Sequence, residues 1–143
     1  MPRTTTLALL ASITLALAAT GCGDDNAPPA DRVGIAATCA VDTDCRRLGL
    51  EDGGVLQLIC LTQFSAGYCG LPDCVTTADC PPASICVTHD DARNYCFRVC
   101  LDKPECNANR APDVEANCSS SFDWAEPADD HGEKACIPPS SGI

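Results

Sequence analysis

Thirteen cysteines in a chain of 143 residues narrow the folds open to this sequence. Twelve of them lie between Cys39 and Cys136 and fall into three quartets. The first is Cys39, Cys45, Cys60 and Cys69, the second Cys74, Cys80, Cys86 and Cys96, and the third Cys100, Cys106, Cys118 and Cys136. Every quartet opens with five residues between its first two cysteines, and an acid precedes the second: Asp44, Asp79, Glu105. The first two also share Ile59-Cys60-Leu61-Thr62 and Ile85-Cys86-Val87-Thr88, and place Tyr68 and Tyr95 directly before the fourth cysteine. Agreement at this level marks one supersecondary unit repeated along the chain. The third quartet keeps the order and the opening spacing but loses the Ile and Tyr. A 17-residue insertion, Ser119–Ala135, separates its last two cysteines.

The remaining cysteine, Cys22, stands apart. Residues 1–21 read as a secretory signal, with Arg3 at the start and an apolar run from Leu7 to Ala19 that is interrupted only by Ser12 and Thr14. That run is shorter than the roughly 20 residues needed to span a hydrocarbon core. Ala19-Thr20-Gly21-Cys22 resembles the lipobox of bacterial lipoproteins, with Ala19 where Leu is usual. The resemblance implies a thiol alkylated with diacylglycerol and a chain cut just before it. Ordinary cleavage after Ala18 or Ala19 is the alternative, leaving Cys22 as a free or pairing thiol. Parity favours lipidation, because an odd cysteine in a secreted chain needs an explanation.

Without residues 1–21 the chain has 122 residues and a formal charge of −12. Such an acidic surface is unsuited to nucleic acid, which rewards Lys and Arg on phosphates. Leu, Ile, Val and Phe total 22, about 18% of the mature chain. That share with high charge ordinarily means disorder. Cysteine overrides it. Twelve cysteines in an exported chain are a disulfide framework, and each bridge contributes about 2–4 kcal/mol. The expected fold is therefore small and disulfide-rich, with three tandem four-cysteine units, short β-hairpins and little regular secondary structure. The chain divides into a signal peptide over 1–21, a lipid-anchored flexible tether over 22–38, and units over 39–73, 74–99 and 100–143. Only four residues join Cys69 to Cys74 and three join Cys96 to Cys100, which predicts an elongated, semi-rigid rod.

Within each unit the sequence predicts a turn-like opening loop followed by a hairpin. Ile85–Thr88 and Asn94–Phe97 flank the polar bend Asp90–Arg93. Leu58–Thr62 and Gly67–Cys69 form the equivalent pair in unit one. The acid before each second cysteine accepts backbone hydrogen bonds in its turn. Calcium at Asp42 and Asp44 is the competing role, but no EF-hand loop surrounds them. Four cysteines allow three pairings. First-to-third with second-to-fourth would clamp the opening loop onto the hairpin.

The unit, seen most clearly in Cys74-Val-Thr-Thr-Ala-Asp79-Cys80-Pro81-Pro82-Ala-Ser-Ile85-Cys86, resembles the N-terminal cysteine-rich domain of Dickkopf proteins. It is also similar to cysteine-rich repeats of predicted bacterial lipoproteins. The resemblance covers 39–100 well and 100–136 loosely, and it implies a fold but no function.

No catalytic constellation is evident. His89 sits in the bend beside Asp90 and Asp91, and His131 follows Asp129 and Asp130. Both read as solvated loop histidines in preference to His–Asp pairs. Ser119–Ser121 lacks a nucleophile elbow. No Cys-x₂-Cys knuckle or redox pair occurs, so neither zinc nor any other cofactor is expected. The insertion holds Phe122, five acids and Trp124, the sole tryptophan. Its two aromatics could form a binding surface, or could fold back over the third unit. The sequence thus points to a non-enzymatic, lipid-anchored envelope protein at the outer membrane, a structural module or one that binds an envelope protein or glycan ligand. A protease inhibitor, with bait at Leu101–Pro104 or Gly49–Val55, is the first alternative. A metal-binding or redox protein is the second.

Overall fold

The computed structural model describes residues 31, 34–49, 53–108 and 110–141. The signal segment and Cys22 lie outside the described residues, as does most of the tether. The fold is a small disulfide-rich one, with a helical turn at Lys103–Cys106 and short antiparallel sheets.

Unit one contains β1 (Arg47–Gly49), β2 (Val55–Gln57), β3 (Ile59–Cys60) and β4 (Cys69–Gly70). β1 pairs with β2 and β3 pairs with β4 as two separate ribbons. Unit two supplies β5 (Ser84–Thr88) and β6 (Asn94–Cys100), and unit three supplies β7 (Asn117–Ser119), β8 (Asp123–Trp124) and β9 (Lys134–Ile137). These five form a single sheet in the order β7-β9-β6-β5-β8. Both expected hairpins are present, in the registers Cys60↔Cys69 and Cys86↔Cys96. Unit three has the same pair, Cys118↔Cys136.

All twelve body cysteines are joined, first to third and second to fourth in every unit: 39–60, 45–69, 74–86, 80–96, 100–118 and 106–136. The reason is local. Directly opposed residues point to the same face of an antiparallel pair. The third and fourth sulfurs therefore leave one face of the hairpin together, toward the opening loop. The Sγ atoms of Cys39, Cys45 and Cys69 lie within 4.8 Å of one another.

The opening loops are wound as 3₁₀ turns at Asp42–Asp44 and Thr77–Asp79. Asp44 Oδ2 accepts from the Ala40 and Val41 amides at 2.8 and 3.1 Å. Asp79 Oδ2 accepts from Val75 and Thr76, both at 2.9 Å. Glu105 Oε2 repeats the contact with the Leu101 amide at 2.7 Å. The acid before each second cysteine is thus the latch of its loop.

The units do not string out into the rod that the short joints predict. One core holds Leu58, Phe64 and Tyr68 of unit one together with Ile85, Val87, Tyr95 and Phe97 of unit two. Phe64 meets Tyr68, Tyr95 and Phe97 edge-on, with centroids 5.2–6.1 Å apart. The chain's tail closes the assembly: Phe64 bridges to Ser140, and the Ser65 and Ser141 amides donate to Pro139 O and Gln63 O. Few aliphatic residues are available, so aromatic rings from separate units must share one interior.

The boundary of the tether also shifts. Ile35 and Ala36 are buried in the core. The Ala36 amide donates to Cys69 O, and the Cys69 amide to Ala37 O. The end of the 22–38 segment therefore belongs to unit one, because Ile35 finds an apolar seat there. Arg110 fixes the same corner from unit three. Its guanidinium donates to Ala36 O, Gly67 O, Ser65 O and Val114 O at 2.7–3.3 Å.

Candidate functional site

The bend after β5, the start of the insertion and β9 enclose a groove of about 680 Å³. A hollow of about 240 Å³ adjoins it, sharing His89, Asp90 and Ile137. Along the groove lie His89, Asp90, Ser120, Ser121, Phe122 and Asp123.

His89 is not the solvated loop residue its neighbours suggest. It is only 9% exposed, and its ring packs edge-on against Phe64 at 5.0 Å and Phe97 at 5.9 Å. Alternation along β5 explains this. Ile85, Val87 and His89 fall on one side of an extended chain, opposite Phe97 and Tyr95 in the pairs Ile85↔Phe97 and Val87↔Tyr95. That alternation is the signal in the sequence that could have placed His89 inside. Nδ1 of His89 is buried without a hydrogen-bond partner and stands 3.8 Å from Asp91 Oδ1. Asp91 is already engaged by the Tyr95 hydroxyl at 2.6 Å and the Arg93 amide at 3.0 Å. Thus no close His–Asp hydrogen bond forms. His131 is exposed, beside a separate hollow near Leu101 and Glu133.

The insertion leaves β7, crosses to the far edge of the sheet and adds β8 beside β5, pairing Val87↔Trp124 and Thr88↔Asp123. It then returns as β9 between β7 and β6. Phe122 and Trp124 meet at 5.4 Å and are half-buried against the main core. They cover unit two and not the third disulfide unit, whose own cluster is Cys100, Cys106, Ala116 and Cys136. Phe122 also walls the groove, whereas Trp124 does not line it.

Other residues singled out by the sequence lie elsewhere. Asp42 Oδ1 accepts from the Cys60 amide at 2.9 Å, so Asp42 and Asp44 both serve the backbone. Among the described residues, the close groups of three or more metal-type ligands consist of cysteine sulfurs already in disulfides. Leu101 is exposed, but Lys103–Cys106 is helical with Asp102 as its N-cap. The ends of the Gly49–Val55 stretch face each other as the last pair of the β1–β2 ribbon, which the sequence does not announce.

Comparison of the chain with protein-family models, with curated proteins and with solved structures finds no match.

Proposed function

We propose that the protein is a non-enzymatic, lipid-anchored binding module of a bacterial cell envelope. One observation carries the reading: the twelve body cysteines pair entirely among themselves, so Cys22 has no partner left in the body. A disulfide framework of this density belongs to an exported protein. A cysteine without a partner, placed after a signal-like segment, is suited to lipidation. Two acyl chains suffice for stable attachment, at about 0.8 kcal/mol per buried CH₂. Gly23 follows Cys22, so the acidic residue that retains enteric lipoproteins in the inner membrane is absent, which favours the outer membrane.

The groove supports binding over catalysis. Ser120, Ser121 and His89 share it, yet His89 Nδ1 has no hydrogen-bond partner to activate it. A nucleophile–base–orienter chain needs such contacts. A disulfide-clamped scaffold instead presents a preformed concave surface, which lowers the entropy lost on binding.

The test is Cys22→Ser expressed in a lipoprotein-processing bacterium. The wild-type chain should sediment with membranes, and the variant should move to the soluble exported fraction. Equal sedimentation of both would overturn the anchor.

A further inference from the structure

We propose that the chain just before the first cysteine unit is a strap, closed by Asp31 on Arg98, which ends the free tether at residue 31 and so sets how far the module can stand from its anchor. The strap is read from the fold alone. Its effect on reach rests on the anchor at Cys22.

Arg98 lies on β6 of unit two, and its side chain is 1% exposed. A guanidinium keeps its charge in proteins, and burying that charge without a partner is costly. Asp31 supplies the carboxylate: Arg98 Nη1 donates to Asp31 Oδ1. Glu105 Oε1 stands 3.8 Å from Nη2, beyond hydrogen-bond length. Nε and Nη2 are buried with no hydrogen-bond partner among the described residues. Asp31 is thus held by a buried charge that its other neighbours leave unsatisfied.

The strap continues over the other two units. The Gly34 amide donates to Asp31 O at 3.2 Å, closing a turn, and Ile35 fills its seat in the shared core. Ala36 has φ +73°, uncommon for a residue with a Cβ. Such a conformation persists where the surroundings over-determine it. Here the Ala36 amide donates to Cys69 O of unit one, and Ala36 O accepts from Arg110 of unit three. One short segment therefore ties all three units. Nine peptide steps separate Cys22 from Asp31, and seventeen separate Cys22 from Cys39. Fully extended, these span about 30 Å and about 60 Å. The strap thus halves the reach, and keeps Asp31 within about 30 Å of Cys22.

Arg32 is the sole Lys or Arg between Cys22 and Arg46, so trypsin can cut the strap only there. The full chain, isolated from its envelope in nonionic detergent, is digested beside a synthetic peptide of residues 26–38. Intact mass follows the loss of everything up to Arg32, whether or not lipid is attached. A strap that opens only transiently should be cut about a hundredfold more slowly than the peptide. Arg98→Met removes the guanidinium at similar volume and leaves the cleavage sequence unchanged. Cutting should then rise about tenfold, the weight of one hydrogen bond to a charged group. Arg93→Met removes the same charge from the exposed pair with Asp73, and should change the rate by about twofold or less. Mass before and after reduction checks that both variants keep six disulfides. Cutting of the wild-type chain at the peptide's rate would overturn the strap, even if Arg98→Met fails to fold. Equal rates for the two variants would overturn it as well. Neither result bears on the anchor, which the Cys22 experiment decides.

Discussion

Cys118 and Cys136 sit directly opposite one another on β7 and β9, although 17 residues separate them. The corresponding pair in unit one, Cys60 and Cys69, has eight residues between its members. The same register across such different connections shows what the repeat keeps physically. It holds two opposed cysteines on one hairpin face, beneath a loop that brings two more. The connection between them is free to vary, and in unit three it has become the wall of a groove on unit two.

Gly67 shows how closely the clamp is drawn. Its φ is +67°, and a Cβ there would stand 2.1 Å from the Cys39 carbonyl oxygen and 2.7 Å from Cys39 Sγ. Gly67→Ala should cost about 2–4 kcal/mol, combining left-handed strain with overpacking. Gly53 also has positive φ, but a Cβ added there would meet no heavy atom within 4 Å, so Gly53→Ala should cost about 1 kcal/mol. Denaturant unfolding with disulfides intact compares the two. Equal costs would contradict the close packing at Gly67.

Phe64 joins the units through its ring. Phe64→Ala should destabilise by about 3–5 kcal/mol, the usual cost of emptying a buried aromatic site. If the three units were independent, hydrogen exchange would accelerate only around residues 58–70. The shared core predicts acceleration at Tyr95–Phe97 as well.

Arg110 is tested in the same way. Truncation to Ala leaves the carbonyls of Ala36, Ser65 and Gly67 without their guanidinium donor. Buried acceptors left unpaired cost about 1–3 kcal/mol each at most, so a total loss of about 2–4 kcal/mol is expected. Faster amide exchange at Ala36 and Cys69 should accompany it. An unchanged unfolding midpoint would contradict the role.

The loop latches carry a pH signature. Backbone hydrogen bonds from Ala40 and then Val41 hold Asp44 below its ordinary value of 3.8, and those from Thr76 and then Val75 do the same for Asp79. A depressed carboxyl contributes stability that is fully present above the ordinary value and is lost as pH falls through the lowered one. Amide exchange at Ala40, Val41, Val75 and Thr76, corrected for intrinsic rates, should show protection falling below about pH 4. Asp44→Ala, which removes the acceptor, should release the first pair at neutral pH. Protection that is flat down to about pH 2, below the ordinary carboxyl range, would contradict the latch.

Much of the unit is legible in the sequence because its determinants are local. The acid before the second cysteine, the Ile-Cys-x-Thr strand and the Tyr-Cys strand all act within a few residues; unit two forms both strands in full, whereas unit one forms only the short pair Ile59–Cys60 and Cys69–Gly70. What escapes such a reading depends on distance. Nothing near Phe64 marks it as the joint between units, and nothing near Trp124 tells that β8 will add to β5. Ile35 reads as part of a polar tether because its seat is built from residues far along the chain. His89 is readable in part, since it continues the Ile85–Val87 alternation. Its acidic neighbours obscure that pattern, and the groove it lines exists only because the insertion crosses the sheet.

The most direct measurement is the intact mass of the protein from native membranes, before and after reduction with alkylation. The account predicts a chain beginning at Cys22 with added acyl mass, and twelve alkylatable thiols that appear only on reduction. An unlipidated chain beginning near Ala19, or thiols already free before reduction, would contradict it.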